Sequence, residues 1–321
     1  MPELPEVTTT VNGLQKRLPR LIIKDVWTDL AKKKVSRKDF EQTIKSEKFF
    51  NEFKKKIIGQ KVISVKRRAK NILIHISGGH TIIIHMKMTG HLLFGEYKKQ
   101  VESKKSKVKS KMQWVPKDKN GPLNDPYNRF IHVVWTFDNG KHLAFCDSRK
   151  FGKVTIINTK DENTSTHLKG IGPEPLDKDF DFKKFIQALV KHPSTNWKKP
   201  MKQILMDQYT VAGIGNIYSD EMLWLADIHP ESKIKSIPDK ILKNLFKYMK
   251  QVLEKGIDLG GDSMSDYRNV DGERGNFQNH HNVYRKEKEK CGKRGCSGAI
   301  IKKVIGGRSA HFCPIHQTLY K

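Results

Sequence analysis

The chain has 321 residues, enough for a large hydrophobic core divided between two domains. Its 62 Lys and Arg against 34 Asp and Glu leave a net charge of +28, an excess that excludes an ordinary small-molecule enzyme and points to a polyanion, above all nucleic acid. No apolar run reaches membrane-spanning length, and the acidic start lacks the basic and apolar stretches of a signal peptide, so the expected location is the cytoplasm, at the nucleoid.

The chain opens Met1-Pro2-Glu3-Leu4-Pro5-Glu6. Removal of Met1 would leave Pro2 as a free secondary amine with a pKa near about 8, partly unprotonated at neutral pH and able to attack an electron-poor carbon such as C1′ of a deoxyribose. Glu3 and Glu6 add two carboxylates, one to protonate a leaving group and one to hold the amine or the sugar. The same six residues also suit the plain start of a helix. Val7, Val11, Leu14 and Leu18 recur at helical spacing and predict a helix over residues 6–18.

Strand patterns follow. Ile72, Ile74 and Ile76 alternate with Leu73 and His75, and Ser77-Gly78-Gly79 turns the chain into residues 81–88. A second hairpin joins 130–137 to 141–145 around Asp138-Asn139-Gly140. The fold class is therefore α+β, beginning with a β-sandwich behind one leading helix. Between the hairpins, residues 97–128 are rich in Lys and Ser and carry Pro116, Pro122 and Pro126. They read either as a solvated, disordered insertion or as an arm that touches DNA. Cys146 stands alone in an apolar strand, as a buried small hydrophobe.

Gly170 to Pro175 looks like an interdomain connection. Helices are expected over 200–207, 216–226 and 238–255, the last with Leu242, Leu245, Met249 and Val252 on one stripe. The turn Val211-Ala212-Gly213-Ile214-Gly215-Asn216 suits a phosphate at a helix N-terminus, or is a helix-helix turn without a ligand. In the tail, Cys291 and Cys296 enclose four residues, sixteen separate Cys296 from Cys313, and two separate Cys313 from His316. That spacing defines a closed, structural zinc site of three thiolates and one imidazole around a hairpin, with Arg308 in the turn after Gly306-Gly307. Domains are expected at 1–165, 166–280 and 281–321.

Taken together these motifs resemble the formamidopyrimidine-DNA glycosylases (Fpg), relatives of endonuclease VIII (Nei). The resemblance rests on Pro2 to Val7, Arg67-Arg68-Ala69-Lys70, His85 to Gly90, Asp147 to Gly152, Gly172 to Leu176, Gly213 to Glu221 and the tail hairpin. It implies Pro2 as nucleophile, Glu3 as catalytic acid, Glu6 as a supporting carboxylate and Lys70 at the phosphate beside the lesion. It implies that Lys202, Asn216 and Arg308 grip the DNA backbone in a helix-two-turns-helix and zinc-finger half, with Tyr284 near phosphates. Met88, Arg149 and Phe151 would fill the hole left by an extruded base, since such an enzyme must take its target out of the stack. Residues 263–284 would include the loop that closes over that base.

The implied activity is excision of oxidised purines from duplex DNA followed by β- and δ-elimination, by a monomer with one zinc ion and no membrane partner. Alternatives are a Nei-type oxidised-pyrimidine glycosylase and a damaged-DNA-binding protein without catalysis. The chain departs from the family pattern at the Cys-x4-Cys knuckle, at His316, at Ser148 and Lys150, and in the insertion 97–128.

Overall fold

In this computed structural model, which describes residues 1–102, 111–191 and 199–321, the chain divides into two units. The first gathers Met1–Pro2, Glu6–Leu168 and Asp262–Gly275; the second gathers Glu3–Pro5, Lys169–Gly261 and Asn276–Lys321.

The leading helix, α1 (Leu4–Gln15), starts two residues before the expected span, and its apolar stripe of Val7, Val11 and Leu14 is buried. It is followed by β1 (Ile23–Thr28), α2 (Glu47–Ile57), β2 (Val62–Arg68), β3 (Asn71–Ile76), β4 (His80–His85), β5 (His91–Gly95), β6 (Tyr97–Glu102), β7 (Lys111–Pro116), β8 (Ile131–Phe137), β9 (His142–Cys146) and β10 (Lys153–Asn158). Among the described residues, these strands form two four-stranded sheets, ordered β1-β8-β9-β5 and β10-β4-β3-β2, and the separate ribbon β6-β7.

The sheets are antiparallel, and side chains alternate across each of them. Ile72, Ile74 and Ile84 of one sheet share a single apolar core with Val133, Trp135 and Phe145 of the other and with the α1 stripe. This is the sandwich that the alternating patterns imply. Cys146 is fully buried, and burial raises its thiol pKa well above the ordinary value.

Residues 97–128 correct the expectation of a solvated insertion. Residues 103–110 lie outside the described part, but β6 and β7 pair in register from Tyr97 with Pro116 to Glu102 with Lys111. Tyr97 is buried beside Leu93, Val134 and Ala144 on the sheet face turned away from the main core, and Trp114 packs there 6.2 Å from Trp27 and 5.1 Å from His142. The segment is poor in apolar residues, but Tyr97, Trp114 and Leu123 land on one sheet face. Average composition hides such placement.

The second unit is helical. It contains α3 (Phe182–Lys191), α4 (Met201–Met206), α5 (Asn216–Leu225) and α6 (Asp239–Asp258), then the hairpin β11 (Ile301–Ile305) and β12 (Arg308–Phe312). The α6 stripe of Leu242, Leu245, Met249 and Val252 joins Met222 and Leu223 of α5 and Leu4 in one core. Among the described residues, no helix is long and apolar enough to cross a membrane.

Candidate active site and nucleic-acid interface

In the first unit, Pro2 is buried behind the exposed Met1. Glu6, 2% exposed, accepts the Asp262 N–H on Oε1 at 2.8 Å, and its backbone carbonyl accepts the Tyr267 hydroxyl at 3.0 Å and that of Thr10 at 2.9 Å. Burial raises the Tyr267 phenol above its ordinary pKa, so it stays a donor. A carboxylate this buried costs free energy unless such bonds compensate. Lys70 occupies the turn between β2 and β3, after Ala69 at φ 52°, and is 5% exposed. Near it, His85 is held neutral: burial, then the Lys87, Lys70 and Lys153 charges, push its pKa down to about 3. That imidazole accepts the Lys87 N–H at 3.0 Å.

The three side chains expected to fill a vacated stack are all at the surface. Met88 is 36% exposed, Phe151 43%, and the Arg149 guanidinium lies 4.6 Å from the Phe151 ring centroid. Core packing is thereby excluded for Met88 and Phe151. Asp147, 1% exposed, organises their support: its carboxylate accepts the Gly152 N–H at 2.7 Å, the Arg149 N–H at 3.3 Å and the Thr89 hydroxyl. Thr89 follows Met88 and also accepts the Arg149 N–H at 3.2 Å, which ties the Met88 turn to the 147–152 loop. Only glycine fits at 152, because a Cβ there would collide with the Phe145 ring. From the other side the buried Lys45 ammonium donates to the Lys150 carbonyl at 2.7 Å and lies 3.9 Å from the Phe40 ring centroid. Lys150 itself has φ 57°.

In the second unit, Glu3 is 2% exposed and sits on the first turn of α5, where Oε1 accepts the Ile217 N–H at 2.9 Å. A helix N-terminus leaves such donors free and favours negative charge. Gly215 makes the approach possible, since a Cβ there would collide with the Glu3 carboxyl group. The turn before α5 is braced by Gln208, which accepts the Gly213 N–H at 2.9 Å and donates to the Ile214 carbonyl at 2.8 Å. Asn216 opens α5 near Tyr284, whose phenol pKa is raised by burial, against the polar Asn216 side chain. Glu221 of α5, fully buried, holds the segment that carries Tyr284 by accepting from Asn282 N at 2.8 Å, Asn282 Nδ2 at 2.9 Å, Val283 N at 3.0 Å and Tyr284 N at 2.9 Å.

Lys202 corrects its expected place on the DNA backbone. It is fully buried, its ammonium paired with Asp220 and donating to the Ser309 carbonyl at 2.9 Å. Asp220 also accepts the His311 N–H at 2.9 Å and faces its imidazole at 3.1 Å. A lysine spent on this network docks β12 to the helices and has no free charge for a phosphate. Arg308 is exposed, as expected, but it opens β12 rather than sitting in the turn, which is Gly306-Gly307. It lines a recess of about 250 Å³ with Lys199 and Gln203.

The four tail residues come together. The ligand atoms of Cys291, Cys296, Cys313 and His316 all lie within 4.8 Å of one another. Cys296 and Cys313 Sγ are 3.6 Å apart, close to the ~3.8 Å that two thiolates on one tetrahedral zinc would show. His316 Nδ1 is 3.1 Å from Cys291 Sγ, while Nε2 donates to the Trp224 carbonyl at 3.2 Å. That second bond fixes the tautomer that leaves Nδ1 as the ligand. The residues therefore fit a bound metal ion. The longer first knuckle closes through the Cys291 N–H to the Gly298 carbonyl at 2.8 Å.

Spacing along the chain gives no sign of Asp147, Lys45 or Gln208. Asp220 and Glu221 left one signal, two adjacent acids inside an otherwise apolar helix.

A helix-led β-sandwich and a helical unit ending in a hairpin with four clustered metal-ligand side chains, each with buried acids and exposed cations, define a chain of mixed α and β structure. Comparison with known proteins is specific. Residues 1–154 match the Formamidopyrimidine-DNA glycosylase N-terminal domain and residues 171–268 the Formamidopyrimidine-DNA glycosylase H2TH domain. The formamidopyrimidine-DNA glycosylase of Bacillus subtilis is 32% identical over 321 residues, covering 99% of each chain, and that of Heliobacterium modesticaldum 34% over 315 residues, covering 98% of this chain and 99% of the other. Among solved structures, Lactococcus lactis Fpg bound to DNA with an abasic site matches with a TM-score of 0.76 at 30% identity, over 98% of this chain and 99% of that one. The wild-type Lactococcus lactis protein bound to DNA containing N7-benzyl-Fapy-dG matches with a TM-score of 0.76, also at 30% identity, over 99% and 100%. The chain belongs to the formamidopyrimidine-DNA glycosylase family.

Proposed function

We infer that this chain is a DNA glycosylase of base excision repair that also cleaves the strand at the abasic site it creates. Its substrates are duplexes carrying oxidised purines, 8-oxoguanine and formamidopyrimidines. The observation that carries the reading is the opening turn, in which Pro2 is followed by two nearly fully buried carboxylates, Glu3 and Glu6, each held by backbone N–H groups.

Once Met1 is removed, the Pro2 amine attacks C1′ of the damaged nucleotide and the glycosidic bond breaks, the leaving base taking a proton from Glu3. As the C1′–O4′ bond opens, the proton lost from the Pro2 nitrogen ends on O4′, and the product is an iminium between Pro2 and the opened sugar, which makes the α-proton of the sugar acidic. Its loss expels the 3′ phosphate, and a second elimination expels the 5′ phosphate. Glu6 holds the sugar, and Lys70 binds the phosphate beside the lesion. Met88, Arg149 and Phe151 occupy the gap in the stack, offsetting the loss of base stacking. Asn216, Arg308 and Tyr284 contact the DNA backbone. The ion held by Cys291, Cys296, Cys313 and His316 is zinc, whose closed shell of four ligands stabilises the hairpin and supplies no reactive position. Such an enzyme works where the chromosome is, in the bacterial cytoplasm.

Borohydride trapping on an 8-oxoguanine duplex tests the nucleophile. The expected result is a covalent adduct mapping to Pro2, lost in Pro2→Gly by at least ~100-fold while duplex binding persists. An adduct of undiminished yield in Pro2→Gly would overturn the assignment. A thymine-glycol duplex run alongside distinguishes purine from pyrimidine specificity.

A further inference from the structure

Residues 262–275 contain no helix or strand, yet they are held at many points. Toward the catalytic face, the Asp262 N–H and the Tyr267 hydroxyl bond to Glu6, at 2.8 and 3.0 Å. Asp266 accepts the Ser148 hydroxyl at 3.0 Å, which links the segment to the loop of Arg149 and Phe151. At its base, Val270 accepts the Phe94 N–H at 2.7 Å, and Asp271 takes both of its bonds from Arg17, at 2.7 and 2.8 Å.

The far side is held by a different device. Arg268 is 2% exposed. Its guanidinium donates to the carbonyls of Ser265 at 2.9 Å and Tyr267 at 2.8 Å, shaping its own turn, and pairs with Asp125 at 3.0 Å. It also lies 4.7 Å from the ring centroid of Tyr127. Asn128 adds a bond to the Gly272 carbonyl at 3.4 Å. Asp125, Tyr127 and Asn128 belong to the end of the segment 97–128, which the glycosylase reading leaves without a task. A buried guanidinium cannot leave its carboxylate cheaply, so the turn 265–268 is committed to this position with no DNA present.

We propose that Asp125, Arg268 and Tyr127 form a brace that presets the 262–275 segment against Glu6 and the 147–152 loop, making the foot of the 97–128 segment a determinant of which base is accepted. The proposal rests on the glycosylase reading. A preformed segment spares the entropy of ordering a loop when the extruded base arrives. The brace therefore matters for removing a base, and has nothing to grip once the base is gone.

The test compares two steps under single-turnover conditions: base release from an 8-oxoguanine duplex, and strand cleavage of a duplex with a preformed abasic site. Arg268→Met is expected to slow base release about tenfold and strand cleavage less than about twofold. Arg268→Lys should recover part of the loss. Asp125→Asn should mimic Arg268→Met, and the double variant should be no worse than either. Equal slowing of both steps, or no slowing of either, overturns the brace. If Arg268→Met does not fold, Asp125→Asn and Tyr127→Ala carry the same comparison. Wild-type protein that traps on neither duplex would instead sink the glycosylase reading itself.

Discussion

The exposed side chains of the two units are supported in opposite ways. Met88, Arg149 and Phe151 stand on two loops between strands rooted in a large apolar core, and both loops are tied to the Asp147 carboxylate. Arg308 projects from a hairpin whose own apolar cluster is only Ile305, Ala310 and Phe312, so its place depends on the metal ligands and on buried charge. The contrast teaches where substitutions can be tolerated. A presenting side chain at the sandwich end can be removed without touching its support, whereas at the hairpin end the support is itself polar and fails as a unit.

The comparison breaks most visibly at the metal. Chelation, or Cys296→Ala, should unfold the hairpin and weaken lesion-duplex binding by about 100-fold, while the circular dichroism of the sandwich persists. Equal affinity with and without metal would show that the hairpin stands on its own contacts. Next in size is Lys202→Met. It leaves Asp220 buried without its cation, and should cost about 3–5 kcal/mol in urea denaturation of the helical unit. A loss below about 1 kcal/mol would mean that the network is solvated and that Lys202 is available to DNA.

The smallest effect sharpens the other side. Burial pushes the Lys45 pKa down to about 8 from an ordinary 10.5, against the attraction of Asp147. As pH rises above about 8, the folded chain has released a proton that the unfolded chain still binds, so this group favours folding more with increasing pH. Wild type should therefore gain in melting temperature relative to Lys45→Met between pH 7 and 10. A constant difference across that range would show that the ammonium under Lys150 is not desolvated.

Much of this architecture is legible in sequence, for a local reason. Asn139-Gly140 specifies hairpin β8-β9, and the stripe on α6 specifies its buried face, because turn chemistry and helical period involve neighbours along the chain. The metal ligands are legible because their spacing is part of the knuckle geometry. Lys202 is not: its partners, the Asp220 carboxylate and the Ser309 carbonyl, are 18 and 107 residues away. A lysine bound for a buried pair and a lysine bound for a phosphate look alike in one dimension. Arg268 and Asp125, 143 residues apart, pose the same difficulty. The exposure of Met88 is accessible only through family resemblance, since an apolar residue after a strand ordinarily points inward, whereas Phe151 carries a local sign in the charged loop Arg149-Lys150-Phe151-Gly152.

The ribbon β6-β7 gives the lysine content of the 97–128 segment a further meaning. Among the described residues its two strands pair as strands only with each other. The outer strands of a two-stranded ribbon are where a strand from another molecule could add. Lys98 and Lys99 stand exposed on one of them, and two copies brought edge to edge would face like charge with like charge. The residues that make this stretch look like a nucleic-acid arm would also oppose the pairing of two such ribbons.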